Sequence, residues 1–235
     1  MTWVKICGTT NLEDALLAVE AGADAVGFVF YEKSPRCVSA ETAREIVEKL
    51  PADVEKVGVF VDDSGERIRA VAAEAALTAV QIYGEPRTAA GSAGNGSPAL
   101  SGELSAELPL DNFRVIVAMP SERLVPGGII TGSLPGSVVH AILLDSGTGD
   151  RPGGTGVTFD WSKNQEYLRA LGETAKIKII VAGGLTPQNV INAIETLQPW
   201  GVDVVSGVEA RKGKKDPEKV RAFVKAVREM DRKVG

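Results

Sequence analysis

The chain has 235 residues, a net charge of −5, and 44% hydrophobic and 24% charged residues. The acidic balance argues against a general nucleic-acid binder, no run of about eighteen apolar residues is present to span a membrane, and the opening residues lack the basic segment and apolar core of a secretory signal. Two cysteines and a single histidine are too few for a disulfide framework or a zinc site, so no metal is expected and the reducing cytoplasm is the expected compartment.

Short β-branched runs alternate with longer amphipathic stretches. The first run is 4–7. Asn11 is placed to cap a helix with Leu12, Ala15, Leu16 and Val19 on one face, ended by Gly22. The second run is 25–30. Ser39 is placed to cap the next helix, without a capping box because Thr42 stands where an acid or amide would be needed. Ala43, Ile46, Val47 and Leu50 share its face, and Pro51 stops it. The third run, 56–61, precedes a helix over about 64–76. The remaining runs are 79–82, 114–119, 141–145, 178–182 and 202–206. Helices are expected near 161–171, from Thr186 with Pro187 at the first helical position, and over about 217–228.

Residues 85–112 are rich in Gly, Ala, Ser and Pro and read as a flexible insertion where a fourth helix belongs. Residues 120–139 contain Pro126-Gly127-Gly128 and Pro135-Gly136, so the fifth helix is expected to be short or absent. Nearly continuous apolar strands separated by helices argue for a parallel sheet buried on both faces. Eight such units favour an α/β fold, a closed (β/α)8 TIM barrel forming a single domain over 1–235, ahead of an open sheet. No GxGxxG turn follows the first strand, which leaves a dinucleotide site without support.

In such a barrel the active site lies at the C-terminal ends of the strands. Cys7 ends the first strand, Arg36 follows the second, Gln81 and Tyr83 close the fourth, and Asp145 ends the sixth. Gly183 and Gly184 follow the seventh, and Ser206 and Gly207 the eighth. The last two turns stand where barrels frequently bind phosphate through backbone N–H groups, although either would also serve as a plain tight turn. Asp145 suits a general acid in a partly dry barrel mouth, or a helix cap. Cys7 reads either as a small buried hydrophobe or as a base activated by a positive neighbour. Lys5, two residues earlier, shares its face and, if buried, needs an acidic partner. Arg36 reads as a carboxylate clamp or a solvated loop cation. The loop 147–156 lacks the ending of a nucleotide P-loop and reads as a lid or anion nest. The basic run 211–215 reads as a solvated loop.

Val4-Lys5-Ile6-Cys7-Gly8, Ser34-Pro35-Arg36, Leu143-Leu144-Asp145-Ser146, Gly153-Gly154-Thr155-Gly156, Phe159-Asp160-Trp161, Ala182-Gly183-Gly184-Leu185 and Val205-Ser206-Gly207-Val208-Glu209 resemble, in order and over nearly the whole chain, the phosphoribosylanthranilate isomerases. The resemblance implies an Amadori rearrangement of N-(5-phosphoribosyl)anthranilate to 1-(2-carboxyphenylamino)-1-deoxyribulose 5-phosphate in tryptophan biosynthesis, with no cofactor. It implies Asp145 as general acid, Cys7 as general base, Arg36 on the anthranilate carboxylate, the glycine turns on the phosphate, and Asp203 as an acidic position near the substrate. The implied partner is a small phosphorylated molecule, with no nucleic acid or membrane, acting on a monomer or homodimer. Two residues depart from the family pattern: Tyr83 stands where histidine is usual, and Cys37 where an aromatic residue is usual. Rival readings are another phosphate-binding barrel, such as an indole-glycerol-phosphate synthase or a histidine-pathway isomerase, and a barrel that binds phosphate without catalysis. Cys7 at the first strand end argues against the dual-aspartate pattern of the second enzyme. The pairing of Cys7 with Asp145 argues against a purely binding protein.

Overall fold

A computed structural model describes residues 1–84, 113–121, 139–146 and 178–234, together with Trp161, Gln165 and Leu168. Parallel strands β1 (Trp3–Ile6), β2 (Ala25–Val29), β3 (Glu55–Val61), β4 (Ala79–Tyr83), β5 (Arg114–Pro120), β6 (Val139–Asp145), β7 (Lys178–Val181) and β8 (Gly201–Val204) form a closed barrel in chain order. The expected architecture is therefore present. Closure comes from β1 pairing with β8, with Trp3 opposite Gly201, Lys5 opposite Asp203 and Ile6 opposite Val204.

Side chains alternate along each strand. The outward set, including Val4, Ile6, Val26, Phe28, Phe60, Val80, Ile142 and Val202, packs against the helices. The inward set is small: Ala25, Val57, Ala79, Ala118, Ala141 and Ala182, with Ile116, Leu143 and Ile180. Small residues on the inner wall leave room for the long side chains of Lys5 and Gln81, which are also buried. At the N-terminal end of the barrel Trp3 stacks on Trp200 with ring centroids 5.2 Å apart, and the Lys178 ammonium lies 4.2 Å from the Trp200 ring centre. That end is closed by aromatic rings; the C-terminal end carries the polar residues.

Helix α1 (Leu12–Glu20) is capped by Asn11, whose side chain accepts from the Asp14 N–H, and α2 (Ala40–Val47) by Ser39, which accepts from the Thr42 N–H. Helix α3 (Gly65–Glu74) is capped by Ser64. After β7 the expected helix starts later than Pro187. Thr186 and Asn189 first build a turn, in which Asn189 accepts from the Thr186 N–H and donates to the Gly184 carbonyl, and α4 (Val190–Leu197) follows. Thr186 still caps this turn, because its hydroxyl accepts from the Gln188 N–H and its carbonyl from the Val190 N–H; only the regular helix begins later. Trp161 and Leu168 are helical, as expected, and Leu168 is buried. The glycine-rich stretch 85–112 and the weak fifth helix lie outside the described residues.

The basic run 211–215 is not a solvated loop. Strands β9 (Glu209–Arg211) and β10 (Lys214–Lys215) form a two-stranded antiparallel ribbon beyond the barrel. Within it Lys215 is buried and Lys214 pairs with Glu13 and Asp14. Helix α5 (Pro217–Val234) then runs past the expected end and packs on α1, α4 and β1. Its C-terminal turns are tied to the start of the chain: Asp231 accepts from the Thr2 N–H at 2.9 Å, and Arg228 donates to the Thr2 carbonyl at 2.6 Å and to Asp24.

Val220, Phe223, Val224 and Val227 are fully buried and recur at helical spacing along α5. Truncating the largest, Phe223→Ala, is expected to cost about 3–5 kcal/mol, read as a lowered midpoint with unchanged slope in urea unfolding.

Candidate active site at the C-terminal mouth

The mouth is built from the inward positions nearest the strand ends. Cys7 directly follows β1 and is buried; its Sγ lies beside Gly27 of β2, where an added Cβ would stand 2.6 Å from the sulfur. One inward step below it is Lys5. The lysine needs an acidic partner, and barrel closure supplies one, because Lys5 and Asp203 are register neighbours. Lys5 Nζ lies 3.2 Å from Asp203 Oδ1 and donates to Gln81 Oε1 at 2.8 Å across the barrel. The contact with Asp203 is an ion pair by distance, off hydrogen-bond alignment, and that oxygen has no aligned donor among the described residues.

Burial dominates the ionisation of this cluster. It pushes the Cys7 thiol up, and the Lys5 ammonium beside it opposes the shift only in part. It pushes the Asp203 carboxyl up as well, against the attraction of Lys5. Burial disfavours the Lys5 ammonium, but the Asp203 carboxylate, joined by Cys7 whenever the thiol ionises, outweighs it and holds the lysine above its ordinary value. The resting state is a neutral thiol above a charged lysine.

Asp145 ends β6, three strands from β1 by way of β8 and β7, and is buried. Its Oδ2 accepts a hydrogen bond from the Tyr83 hydroxyl at 2.8 Å. The residue that departs from the family pattern therefore touches the candidate acid directly. Burial, and then the neighbouring Asp145 charge, hold the Tyr83 phenol well above its ordinary value, so it stays a donor.

Arg36 is buried, and the reading as a solvated loop cation fails. Its Nε and Nη2 donate to the two carboxylate oxygens of Glu209, each at 2.7 Å. This side-on grip leaves the Nη1/Nη2 edge of the guanidinium facing away from Glu209. Cys37, next along the loop, is exposed.

The turns after β7 and β8 touch each other. Gly183 adopts φ +83°, and an added Cβ there would meet the Ser146 Oγ at 2.2 Å. At Gly207 an added Cβ would lie 1.8 Å from the Leu185 carbonyl oxygen. Chain packing alone thus demands glycine at both places, so glycine identity by itself does not argue for an anion. Ser206–Val208 form a single 3-10 turn directly beyond β8. The loop 147–156 lies outside the described residues, and among the described residues no cluster of metal-ligating side chains occurs.

The structure brings together Cys7, Lys5, Gln81, Asp203, Tyr83 and Asp145, and places Arg36 beside them through Gly8, whose added Cβ would meet Arg36 Cδ at 2.6 Å. Sequence reasoning missed the roles of Glu209 and Lys215. Glu209 stood inside a recognised motif, but its partner is 173 positions away.

A family profile for N-(5'-phosphoribosyl)anthranilate (PRA) isomerase matches residues 4–96 and 135–226. The N-(5'-phosphoribosyl)anthranilate isomerase of Geobacter sp. (strain M21) is 45% identical over 224 residues, covering 95% of this chain and 97% of the relative. The crystal structure of the phosphoribosyl anthranilate isomerase from Thermotoga maritima superposes with a TM-score of 0.74 at 38% identity, covering 97% of this chain and 100% of that one. A further structure of such an enzyme, in complex with reduced 1-(o-carboxyphenylamino)-1-deoxyribulose 5-phosphate, gives 0.71 at 38% identity over the same shares.

Glu209 provides a test of the buried charges. Burial disfavours its carboxylate, but Arg36 and Lys215 more than compensate and hold its carboxyl below the usual value of 4.5. A depressed value contributes stability above that pH, and the contribution is lost as pH falls through the lower folded value. Glu209→Gln is expected to cost about 3–5 kcal/mol at neutral pH, since it strands two buried cations. In urea unfolding at stepped pH, the gap to wild type should close as pH drops below about 4.5.

Proposed function

The chain belongs to the N-(5'-phosphoribosyl)anthranilate isomerase family, and we propose on that premise that it converts N-(5-phosphoribosyl)anthranilate to 1-(2-carboxyphenylamino)-1-deoxyribulose 5-phosphate with Cys7 and Asp145 as its base and acid. The observation that carries the site assignment is the convergence of both residues on one mouth, from β1 and β6. An isomerisation that adds one proton and removes another needs two such groups at separate points around the substrate.

Asp145 donates its proton to the ribose ring oxygen. The ring C–O bond breaks, and the anilino nitrogen supplies the electron pair that makes the Schiff base. Cys7, as thiolate, removes the C2′ proton, and the freed pair neutralises the iminium to give the enolamine. Tautomerisation yields the ketone. Once Asp145 has given up its proton, the Tyr83 hydroxyl donates to an anionic oxygen, and hydrogen bonds to an ionised acceptor are roughly twice as strong as neutral ones. Tyr83 thereby favours the state after proton transfer, in the role left open by the missing histidine. Lys5, fixed by Gln81 and Asp203, opposes with its charge the cost of ionising the buried Cys7.

Arg36 offers its Nη1/Nη2 edge to the anthranilate carboxylate while Glu209 holds the other edge. The turns at Gly183-Gly184 and Ser206-Gly207, at the ends of β7 and β8, suit the phosphate by their place in the barrel. Anchoring both charged ends positions the reacting carbons between acid and base.

Turnover is followed through the change in anthranilate fluorescence. Cys7→Ala and Asp145→Asn are each expected to lower kcat by roughly 10²–10⁴-fold while the substrate still binds. Wild-type rates in both would defeat the assignment. Because burial raises the Cys7 thiol and only its ionised form can act as base, kcat/KM of the wild type should climb from neutral into alkaline pH.

Tyr83→Phe keeps the ring and removes the donor. It is expected to reduce kcat about tenfold with KM nearly unchanged, and Tyr83→His to recover most of the loss, because the bond matters after proton transfer and not on binding.

A further inference from the structure

We infer that Glu209 and Lys215, on the ribbon beyond β8, are positioning residues that lock the carboxylate clamp and the general base into one rigid frame. The inference rests on the assignment of Arg36 and Cys7 above. Lys215 Nζ donates to the Cys7 carbonyl at 2.6 Å and to the Val205 carbonyl at 3.1 Å, and lies 3.6 Å from Glu209 Oε1. Glu209 Oε1 also accepts from Arg36 Nε at 2.7 Å and from the Gly213 N–H at 3.2 Å. A continuous chain of contacts thus runs from the guanidinium, through one carboxylate and one ammonium, to the main chain of the base.

A lysine needed only to close a hairpin would put its charge in water. Here the side chain is fully buried, at a desolvation cost that burial of a methyl-bearing residue would avoid. Its two strong acceptors are the carbonyl of Cys7 and that of Val205, so it pins the end of β1 to the end of β8 at the mouth. The ribbon is itself anchored: Asp14, at the start of α1, accepts from the Lys215 N–H at 2.8 Å and from Lys214 Nζ at 2.8 Å. Lys219, from α5, donates to the Glu209 carbonyl at 2.9 Å.

Charge supports the same reading. Arg36, Glu209 and Lys215 are buried together and sum to one positive charge. A dry cluster with one excess charge is completed by a single anion, and the open edge of Arg36 is where a monocarboxylate would enter. The aryl carboxylate then docks against a guanidinium whose orientation is set by the same carboxylate that Lys215 approaches. Distance from clamp to base is fixed by this frame. The ring-opening step depends on the ribose end and Asp145, whereas abstraction at C2′ depends on where Cys7 stands relative to the anchored aryl group.

The test uses steady-state kinetics on the full chain. Lys215→Met fills the space but donates nothing. It is expected to lower kcat by roughly 10²-fold, the scale of an ångström-size misplacement, with KM within about threefold of wild type. It should also move the acid limb of kcat/KM upward. The titratable groups around Cys7 are Lys5, Asp203, Arg36, Tyr83 and Lys215, and only the last is changed. Glu209→Asp keeps the cluster's charge and shortens its reach. It should raise KM about tenfold and lower kcat about tenfold, with the acid limb near wild type, because the loosened clamp also shifts the aryl group relative to Cys7. A Lys215→Met protein that loses thermal stability yet keeps wild-type kcat and acid limb would overturn the inference, as would a Glu209→Asp enzyme with wild-type kcat or with KM at or below wild type. Should Lys215→Met fail to fold, Glu209→Asp decides alone. Wild-type rates in Cys7→Ala would instead remove the base assignment, whatever these variants do.

Discussion

Pairing of β1 with β8 is the constraint on which the rest of the molecule hangs. It closes the barrel, and its register sets Lys5 beside Asp203. Once that register is fixed, the period of two along β1 carries Cys7 to the same inner face at the mouth. A slip of one residue would point both Lys5 and Cys7 outward into the helix layer, where neither charge nor thiol has a partner. The ion pair therefore acts as a check on closure: a buried lysine without its carboxylate is costly enough to exclude the wrong register.

Much of this order was legible in the sequence. The eight strands, the caps at Asn11 and Ser39, and the inward direction of Lys5 all follow from local periodicity and local hydrogen bonding. The partner of Lys5 did not follow, because it lies on the last strand and is chosen by closure. Nor did the fate of 211–215: a run of cations looks solvated until a tight turn at Gly213, with φ +77°, folds it into a ribbon from which Lys215 reaches the Cys7 and Val205 carbonyls. Thr186 caps as expected, and only the start of the regular helix falls later, after a turn closed by its side chain and that of Asn189. The glycine turns were read as an anion site, yet Gly207 is demanded by the Leu185 carbonyl whether or not an anion is present.

Two kinds of polar support surround the mouth, and they differ in what they hold. On the β4–β6 side Tyr83 reaches Asp145 through one neutral donor, a bond that gains strength as charge develops. On the β1–β8 side the support is ionic, built from Lys5, Asp203, Arg36, Glu209 and Lys215. Under the proposed roles, the acid would be braced against a change it undergoes, and the base would be held in place by an ion-pair network. That asymmetry suits a reaction in which the first step releases a ring and the second must find one particular proton.

The tie between the two ends of the barrel reaches beyond the folded state. Thr2 is bound by Asp231, and β1 is completed only by β8, so neighbours in space are far apart in the order of synthesis. A nascent chain emerging residue by residue must keep β1 without this partner until β8 has been made. During that interval an unpaired edge rich in Val and Ile is available to other chains. Lys5, in the middle of this strand, puts a charge on an otherwise sticky segment. A charge inside an apolar strand disfavours its pairing with other chains, so the position that needs Asp203 in the folded barrel is also the least adhesive part of the unpaired strand.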